Sequence, residues 1–387
     1  MSLRDRLQTG GLSEKEDTRK RLYERFGVLR NPFPPAGEPS GHPHRETEAE
    51  NRIVDAIRAF DRDQTSQVLL IQGTQGVGKT NLLNYFEGEL EDLYRDSDAF
   101  YIIRYYPDPE ASFEGIIRKL FQEFQQRDLI EKLAYKLAEK PQAERERVFE
   151  IAHNHEIRLM LAKLALTAEN NPTEVRDLAE LAFEWLSGLR LFNKHRDALG
   201  VHFRIDSVEA KTQALRDLVF CSSHLGLLKG IFLLLDELEK QDYSLSKTVV
   251  LRYLSAIRAL IDALPRHLFM LIALTTQARL RYFSMLPAFA GRLQSIVDLK
   301  PIGTDGEARA YYDFYLNEAK KKSRLDINEL GLTVGKAGVE ALIKPSEVSN
   351  LFDRLLKRAA ERAQEGVTHR DFLHALHLAA EEQLKNA

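Results

Sequence analysis

One eight-residue segment restricts the fold of this chain more than any other feature. Residues 73–80 read Gly-Thr-Gln-Gly-Val-Gly-Lys-Thr and match the pattern G-x-x-x-x-G-K-[ST] at every defined position. The segment follows a short apolar run at residues 68–72 and precedes an amphipathic helical pattern from Thr80 to Leu93. A strand, a glycine-rich turn and a helix in this order form a phosphate-binding loop, or P-loop. The sequence therefore predicts a parallel α/β fold with a nucleotide site at the end of one strand.

The residue types in this loop predict how it would bind ATP. Glycines let the backbone curl around phosphate oxygens, and the helix N-terminus adds a partial positive charge. Lys79 can bridge the β- and γ-phosphates, and the Thr80 hydroxyl can ligate Mg²⁺. The competing interpretation is a glycine turn that has no ligand. The predicted nucleotide-binding residues are Gly73, Thr74, Gln75, Gly76, Val77, Gly78, Lys79 and Thr80.

A second apolar run, at residues 230–235, ends in two acids. We predict that Asp236 holds Mg²⁺ through water and that Glu237 acts as the base that polarises the attacking water. An acid pair of this kind favours hydrolysis over phosphoryl transfer, so a metabolite kinase is the disfavoured alternative. Taken alone, the same pattern also fits a buried strand that runs into a solvated loop.

A third polar feature follows the apolar run at residues 267–274. Thr275 and Thr276 stand at its end, and Thr276 is our candidate for a catalytic contact with the γ-phosphate or its water. Gln277 is a substitute for the same role. Capping of the strand end by threonine is the other interpretation, and the sequence leaves the two open.

Composition restricts the class of protein further. The chain has 387 residues, of which 44% are hydrophobic and 29% charged, as expected for a soluble globular protein. This length fits two or three domains, or one core domain with a large insertion. We find neither an apolar run of about 18 residues nor a signal-peptide pattern. Cys221 is the only cysteine, so we expect no internal disulfide and a cytoplasmic location. A net charge of −3 argues against a general nucleic-acid coat but permits a local basic surface.

Together, the P-loop, the acid pair, the polar strand end and a helical C-terminal segment resemble the AAA+ ATPases. More narrowly, the chain resembles the group of origin-recognition initiators and transposon target-selection ATPases. In that group an Asn-Pro-Phe-like turn lies near the adenine, and Asn-Pro-Phe-Pro stands at 31–34 here. The chain also resembles the ATP-binding protein family of BREX phage-defence systems. That resemblance rests on Trp-Leu-Ser-Gly at 185–188, Leu-Gly-Val at 199–201, Gly-Leu-Leu-Lys-Gly at 226–230 and Leu-Asp-Glu-Leu-Glu at 235–239.

The AAA+ resemblance implies a P-loop core, a parallel sheet between helices, with a large helical insertion and a C-terminal helical lid. The expected divisions are an N-terminal arm with the adenine-side loop at 1–45, the first core part at 46–109, the helical insertion at 110–228, the second core part at 229–303 and the lid at 304–387.

The resemblance also implies a homo-oligomer in which an arginine of one subunit reaches the γ-phosphate bound by its neighbour. Phe-Ala-Gly-Arg-Leu at 289–293 resembles the segment that bears this arginine, so Arg292 is the candidate. Arg279 and Arg281 are rivals. In the superfamily the lid presents a further arginine to the nucleotide; here Asn350 stands at that place and Arg354 follows one turn later, which leaves lid sensing open between them.

The leading functional prediction is an ATP-hydrolysing AAA+ regulator that oligomerises with ATP and Mg²⁺. It would act on double-stranded DNA through an inner surface of the oligomer or recruit a protein effector, and the BREX resemblance implies phage defence. The alternative is a nucleotide-switched scaffold that docks proteins through residues 110–228 without binding DNA. Trp185 is predicted to pack inside the insertion rather than to stack on bases.

Overall fold

A computed structural model describes most of the chain as two compact units. The described residues are 23, 25–35, 42–106, 112–240, 245–293, 295–329 and 341–385. Residues 48–72 and 83–298 form one unit, here called the sheet unit. The described residues within 1–47, 73–82 and 299–387 form the other, here called the helical unit.

The sheet unit contains five parallel strands in the order β2-β3-β4-β1-β5. Parallel strands connected through helices are the arrangement expected when apolar runs alternate with helical patterns, so the predicted α/β fold is confirmed. Four of the strands lie at apolar runs that predict strands: the runs at 68–72, 230–235 and 267–274, and a run at 99–103. The bounds are β1 Gln67–Gln72, β2 Phe100–Tyr105, β3 Gly230–Leu235, β4 Leu268–Leu274 and β5 Ser295–Asp298.

The two faces of the sheet bury different side chains. One face packs a cluster of phenylalanines, with ring centroids 5.2 to 6.3 Å apart, between the strands and helix α1 (Glu48–Asp63). Phe60 comes from α1, and Phe100, Phe232 and Phe269 come from the strands. Alternate strand residues such as Tyr101, Leu233 and Met270 belong to a second core that includes helices of the 113–224 region. Both faces are therefore covered, as parallel sheets require.

Seven α-helices and one short 3₁₀ helix occupy residues 113–224 of the sheet unit. Ser112, Asn154 and Ser207 begin three of them, each with a side-chain oxygen that accepts a backbone N–H of the first turn. The helices are α3 Phe113–Gln126, α4 Leu129–Ala138, α5 Gln142–Ile151, α6 His155–Asn170, the 3₁₀ turn Pro172–Glu174, α7 Val175–Leu186, α8 Asn193–Leu199 and α9 Val208–His224.

Trp185 packs in the interior of this helical region, as predicted. Its side chain is 1% exposed, and the indole N–H donates to the carbonyl of Phe203 at 2.9 Å. The buried carboxylate of Glu156 accepts the backbone N–H groups of His202 and Phe203, at 2.5 and 3.1 Å. These bonds fix the loop between α8 and α9 to the helices beneath it.

The remaining helices complete both units. Helix α2 spans Lys79–Leu93, and the helices between the later strands are α10 Lys247–Ala263, α11 Thr276–Met285 and α12 Pro287–Ala290. The helical unit adds α13 Asp305–Glu329, α14 Pro345–Glu361 and α15 His369–Lys385. Within the described ranges, no helix combines the length and apolar character needed to cross a membrane.

In the helical unit, the Asn-Pro-Phe-Pro segment packs against the C-terminal helices. Phe33 is 1% exposed and its ring lies 5.5 Å from the ring of Tyr312 on α13. The carbonyl of Phe33 is 2.7 Å from Nδ1 of His377, and Asn31 Nδ2 donates to the His377 carbonyl at 3.1 Å. The segment and the helices therefore form one core, which residues 299–387 alone would leave incomplete.

Candidate nucleotide site

The P-loop adopts a backbone conformation that requires glycine. Gly76 and Gly78 have φ of +84° and +97°, in the left-handed region that side chains with a β-carbon rarely occupy. A β-carbon on Gly73 would lie 2.6 Å from the carbonyl oxygen of Leu299 and from Val77 Cγ2. Glycine is therefore required for different reasons within the motif. Gly76 and Gly78 adopt a tight left-handed turn, and Gly73 lies too close to the Leu299 backbone to carry a β-carbon.

Lys79 is the first residue of α2, and its side chain folds back onto the P-loop. Its ammonium donates to the carbonyls of Gly73 at 2.9 Å and Thr74 at 3.0 Å. Asn81 is fixed by His44 Nδ1, 2.9 Å from its Oδ1, and by a bond from its Nδ2 to the His42 carbonyl at 3.3 Å. The loop thus combines an ammonium, a helix N-terminus and a backbone without β-carbons at the turns. This donor set fits the phosphates of a nucleotide.

The start of helix α15 packs on the P-loop within the helical unit. The backbone N–H of Arg370 donates to the carbonyl of Gly76 at 3.0 Å. A β-carbon on Gly76 would lie 3.2 Å from Arg370 Cβ and from the Thr368 hydroxyl oxygen, and one on Gly78 would lie 3.3 Å from His369 Nδ1. Sequence reasoning missed this contact, because about 290 residues separate its two sides and nothing in Thr-His-Arg marks it locally.

His369 carries the main electrostatic perturbation at this contact. Burial lowers the pKa of its ring to about 4, whereas a hydrogen bond to the backbone of Val77 acts in the opposite direction. The Tyr311 ring lies 4.6 Å from the imidazole, and the Arg45 guanidinium lies 4.7 Å from the Tyr311 centroid on α13. His369 is therefore neutral at pH 7 and contributes packing and a hydrogen bond rather than charge.

In the sheet unit, the first acid of the predicted pair is buried and ion-paired. Asp236 is 1% exposed and directly follows β3. Its Oδ2 lies 2.8 Å from Nη2 of Arg104, and its Oδ1 accepts the backbone N–H of Glu237 at 2.9 Å. Both carboxylate oxygens thus have protein partners that fix the orientation of the side chain.

Arg104 is a site residue that sequence reasoning missed. It lies near the end of β2, its side chain is 5% exposed, and its guanidinium stacks on the Tyr106 ring at 4.6 Å. Its Nε and Nη1 atoms are buried and have no hydrogen-bond partner in the described part of the chain. Burial raises the pKa of Glu87 on α2, and the nearby charge of Arg104 opposes that shift. The available signal was a single arginine inside an otherwise apolar strand, Phe-Tyr-Ile-Ile-Arg-Tyr.

Glu237 and Glu239 have different environments after β3. Glu237 has φ of +46°, its side chain is 52% exposed, and it pairs with Lys240 at 3.5 Å. Glu239 points to the end of β4, where its Oε1 accepts the backbone N–H of Thr275 at 2.7 Å. Its Oε2 is buried and has no hydrogen-bond partner among the described residues. Glu239 is therefore a third carboxylate after β3, and its type and spacing alone do not mark it as a candidate.

The two threonines after β4 occupy different positions at the start of helix α11. The Thr275 hydroxyl accepts the N–H of Ala278 at 3.2 Å and caps α11, so this residue fulfils the capping interpretation. Thr276 is the first residue of α11, and its contact with a phosphate or water stays a prediction. Thr275 and Gln277 line a small crevice of about 130 Å³ with Glu239, Ala278 and Arg281.

Arg292 forms an ion pair within its own chain. Its Nε lies 2.5 Å from Asp262 Oδ1, and the hydrogen bond to Asp262 raises the pKa of the guanidinium. The side chain is 44% exposed, so a neighbouring molecule has access to it. Its rivals Arg279 and Arg281 lie on α11, 5.5 and 5.6 Å above the rings of Phe283 and Tyr282. The predicted role of Arg292 at a neighbour's nucleotide stays a prediction.

Helix α14 carries both residues considered for lid sensing. Asn350 and Arg354 are exposed, and Arg354 Nε donates to the Asn350 carbonyl at 3.3 Å. Both side chains are accessible to solvent, and lid sensing by either residue stays a prediction.

The two residues predicted to hold Mg²⁺, Thr80 and Asp236, come from separate segments of the chain. No group of three His, Cys, Asp or Glu residues suited to a metal ion occurs within the described ranges. Thr80 has a hydroxyl and Asp236 a carboxylate, which are ligand types that Mg²⁺ accepts. The role of each residue at a metal stays a prediction.

The parallel sheet, the strand–glycine loop–helix order and the acid after a buried strand define an α/β P-loop fold. No protein-family model and no curated protein sequence matches this chain.

Three solved structures overlap with the chain at low identity. The ORC2 protein of Aeropyrum pernix, in ADPNP–ADP complexes, has 11% identity and a TM-score of 0.40, over 87% of this chain and 67% of its own. A Walker-type ATPase of Pyrococcus abyssi has 13% identity and a TM-score of 0.39, over 88% and 71%. Cdc6p from Pyrobaculum aerophilum has 13% identity and a TM-score of 0.37, over 85% and 66%.

Proposed function

We propose that this chain is a Mg²⁺-dependent ATPase of the AAA+ class. The observation that carries the proposal is the P-loop itself: a full motif between β1 and α2, with Gly76 and Gly78 in left-handed backbone conformations. A ligand-free glycine turn would have no need for Lys79 and Thr80 as well. Chain connectivity adds support, because Gly73 follows β1 and the parallel strands β1, β3 and β4 end at one edge of the sheet.

The residues of the chain would divide the reaction as follows. Backbone N–H groups of the loop and the Lys79 ammonium bind the phosphates, and Thr80 and Asp236 hold the Mg²⁺, which when bound neutralises phosphate charge. Arg104 keeps Asp236 in place through their ion pair. Glu237 accepts a proton from the water whose oxygen bonds to the γ-phosphorus, while the bond to the β–γ bridging oxygen breaks and ADP leaves.

The exposure of Glu237 supports its role as the base, since a base must reach a solvent-derived water. Its left-handed backbone is a further support, because backbone strain concentrates at functional positions. Thr276 is proposed to contact the γ-phosphate or the water.

We further propose assembly into a homo-oligomer in which Arg292 reaches the nucleotide of a neighbour. Its exposure supports this, and its pair with Asp262 would have to exchange for the phosphate. Within this proposal the assembled protein acts on double-stranded DNA or recruits a protein effector, and phage defence is the setting. Asn350 or Arg354 would sense the nucleotide from the C-terminal helices. A protein-docking scaffold without DNA binding is the second candidate.

The test is steady-state phosphate release by the full chain, with and without duplex DNA. Wild type should release phosphate without any added acceptor, and Lys79→Ala should lose nucleotide binding in a fluorescent-ATP titration. Stimulation by duplex DNA would support the DNA-acting regulator, and indifference to DNA would support the scaffold. The ATPase proposal fails if wild type binds no nucleotide, or if Lys79→Ala binds and hydrolyses ATP as wild type does.

A further inference from the structure

Two phenylalanines stand exposed on the helical region of the sheet unit. Phe192, just before α8, and Phe203, in the loop after it, each have 73% of their surface exposed to solvent. Phenylalanine is usually buried, and an exposed pair near one another points to a binding surface. Neither ring is needed to complete the core, because Leu191 and Ile205 beside them are buried and serve that purpose.

The segments that carry these rings lie side by side and are firmly attached. Arg196 joins them: its backbone N–H donates to the Phe192 carbonyl at 3.1 Å, and its Nη1 donates to the His202 carbonyl at 3.0 Å. The Phe203 backbone is held from beneath by Trp185 and Glu156, at 2.9 and 3.1 Å. The rings are thus presented on a fixed backbone, so binding would order few additional groups.

The charge of this region differs in sign from that of the whole chain. Residues 189–204 contain Arg190, Lys194, Arg196 and Arg204 and a single acid, Asp197, whereas the chain has a net charge of −3. Arg190, Lys194 and Arg204 are exposed, as is Asp197. These exposed residues of the two linked segments, Arg190, Phe192, Lys194, Phe203 and Arg204, are together called the aromatic–basic surface below.

We propose that the aromatic–basic surface binds a single-stranded segment of nucleic acid. Bases stack on the two phenylalanine rings, and the arginines and the lysine contact the phosphates between them. This combination of aromatic platforms and cations is how single strands are held without sequence preference. A base pair in a duplex keeps its faces stacked inside the helix, so the rings would gain nothing from double-stranded DNA.

The arrangement of polar groups favours a nucleic acid over an acidic apolar peptide. Protein anchors insert into a continuous apolar patch or pocket. Here Arg196 lies between the two aromatic segments, and the Phe192 ring has the His195 imidazole, 5.7 Å away, as its aromatic neighbour. Two separate phenylalanine rings with basic side chains among them suit successive bases of a nucleic acid, whose phosphate backbone is negatively charged.

The test is a fluorescence anisotropy titration of the full chain without ATP. The probes are a single-stranded DNA and a single-stranded RNA of about 15 nucleotides, and the same sequence as a blunt duplex. The double substitution Phe192→Ala and Phe203→Ala should weaken single-strand binding by about 30-fold or more. Leu93→Ala is the matched control, because it truncates a side chain that is 65% exposed on α2, outside this surface.

A second pair of variants separates stacking from charge. Arg190→Ala with Lys194→Ala should lower the slope of log Kd against log salt by about 1.4, for two lost phosphate contacts. Circular dichroism and thermal melts establish that each variant is folded.

Three results would overturn the proposal. The first is that wild type binds neither single strand at low salt. The second is that the phenylalanine variant binds as the Leu93→Ala control does. The third is that the phenylalanine variant loses duplex binding as strongly as it loses single-strand binding. An acidic peptide bound through the phenylalanines, with no single-strand binding, would replace it with a protein partner. Because no ATP is added, the outcome is independent of the proposed ATPase activity.

Discussion

The P-loop and the acid pair illustrate two ways in which a sequence specifies a chemical group. In the P-loop, eight consecutive residues contain both the glycines that shape the backbone and the side chains that would bind phosphate. After β3, the geometry of Asp236 depends on Arg104, which is 132 residues away in the sequence. A local motif is readable because its parts stay adjacent, whereas a partner across the sheet becomes visible only once the strands are paired.

The largest effect we expect distinguishes the two glutamates near the acid pair. Glu237→Gln should reduce ATP turnover by about 10²- to 10⁴-fold, because a base that contributes by this amount is removed while the shape is kept. Glu239→Gln should reduce it less, since Glu239 is held by the Thr275 N–H. Single-turnover hydrolysis measures both. A larger loss in Glu239→Gln would transfer the role of base to Glu239.

The second prediction concerns the long-range ion pair. Arg104→Met removes the guanidinium that pairs with the buried Asp236 carboxylate and should destabilise the protein by about 3–5 kcal/mol. The same substitution in an Asp236→Asn background should cost much less, because the negative charge of residue 236 is then also removed. Urea unfolding of the four proteins gives the coupling energy.

An exposed ion pair provides the matched control for this cycle. Arg95 pairs with Asp92 on the surface, with side chains 73% and 69% exposed, so Arg95→Met should cost less than about 1 kcal/mol. Equal losses for the two arginine substitutions would mean that the Arg104–Asp236 pair contributes no more than a surface pair.

The third prediction uses the contact between the P-loop and α15. The pKa of His369 is lowered to about 4 in the folded chain, against about 6.5 when unfolded. Between these values the unfolded chain binds the additional proton, so stability falls as the pH is lowered from about 6.5 to about 4, by at most about 3 kcal/mol. His369→Gln should have a flatter dependence over this window in urea unfolding. Parallel curves for the two proteins would contradict the prediction.

The smallest expected effect tests the local rule for glycine. Gly76→Ala should cost about 1–2 kcal/mol, because alanine is strained at φ of +84° and its β-carbon would press on Arg370 and Thr368. Gly88→Ala is the control, since Gly88 lies inside α2 with open space around it, and the change should stabilise by roughly 0.5–1 kcal/mol. Thermal melts that shift in the same direction for both variants would contradict the steric argument.

Sequence patterns located four of the five strands because each is a short apolar run bounded by turn residues. The fifth strand, Ser295–Asp298, escaped prediction because four partly polar residues carry no recognisable period. The strand order also follows no local signal, since β1 pairs with β4 and β5 and not with β2, its neighbour in sequence.

The site was predictable only where its chemistry is contiguous. The residues of the P-loop and the acids at 236–237 can be recognised in the sequence by their type and spacing. Arg104, Glu239 and His369 do not, because their importance arises from burial and from partners elsewhere in the chain. The sequence also does not predict that Phe192 and Phe203 are exposed, since an aromatic residue is expected to lie in the core.

The left-handed backbone of Glu237 has a consequence for protein engineering. Glycine or asparagine at this position would relieve the conformational strain, so a screen for heat resistance would enrich these substitutions. Every variant selected in this way would lack the Glu237 carboxylate, to which we assign the activation of water. Selection for thermostability would thus also select variants that bind ATP without hydrolysing it. Such variants would be useful for capturing the ATP-bound form of the protein.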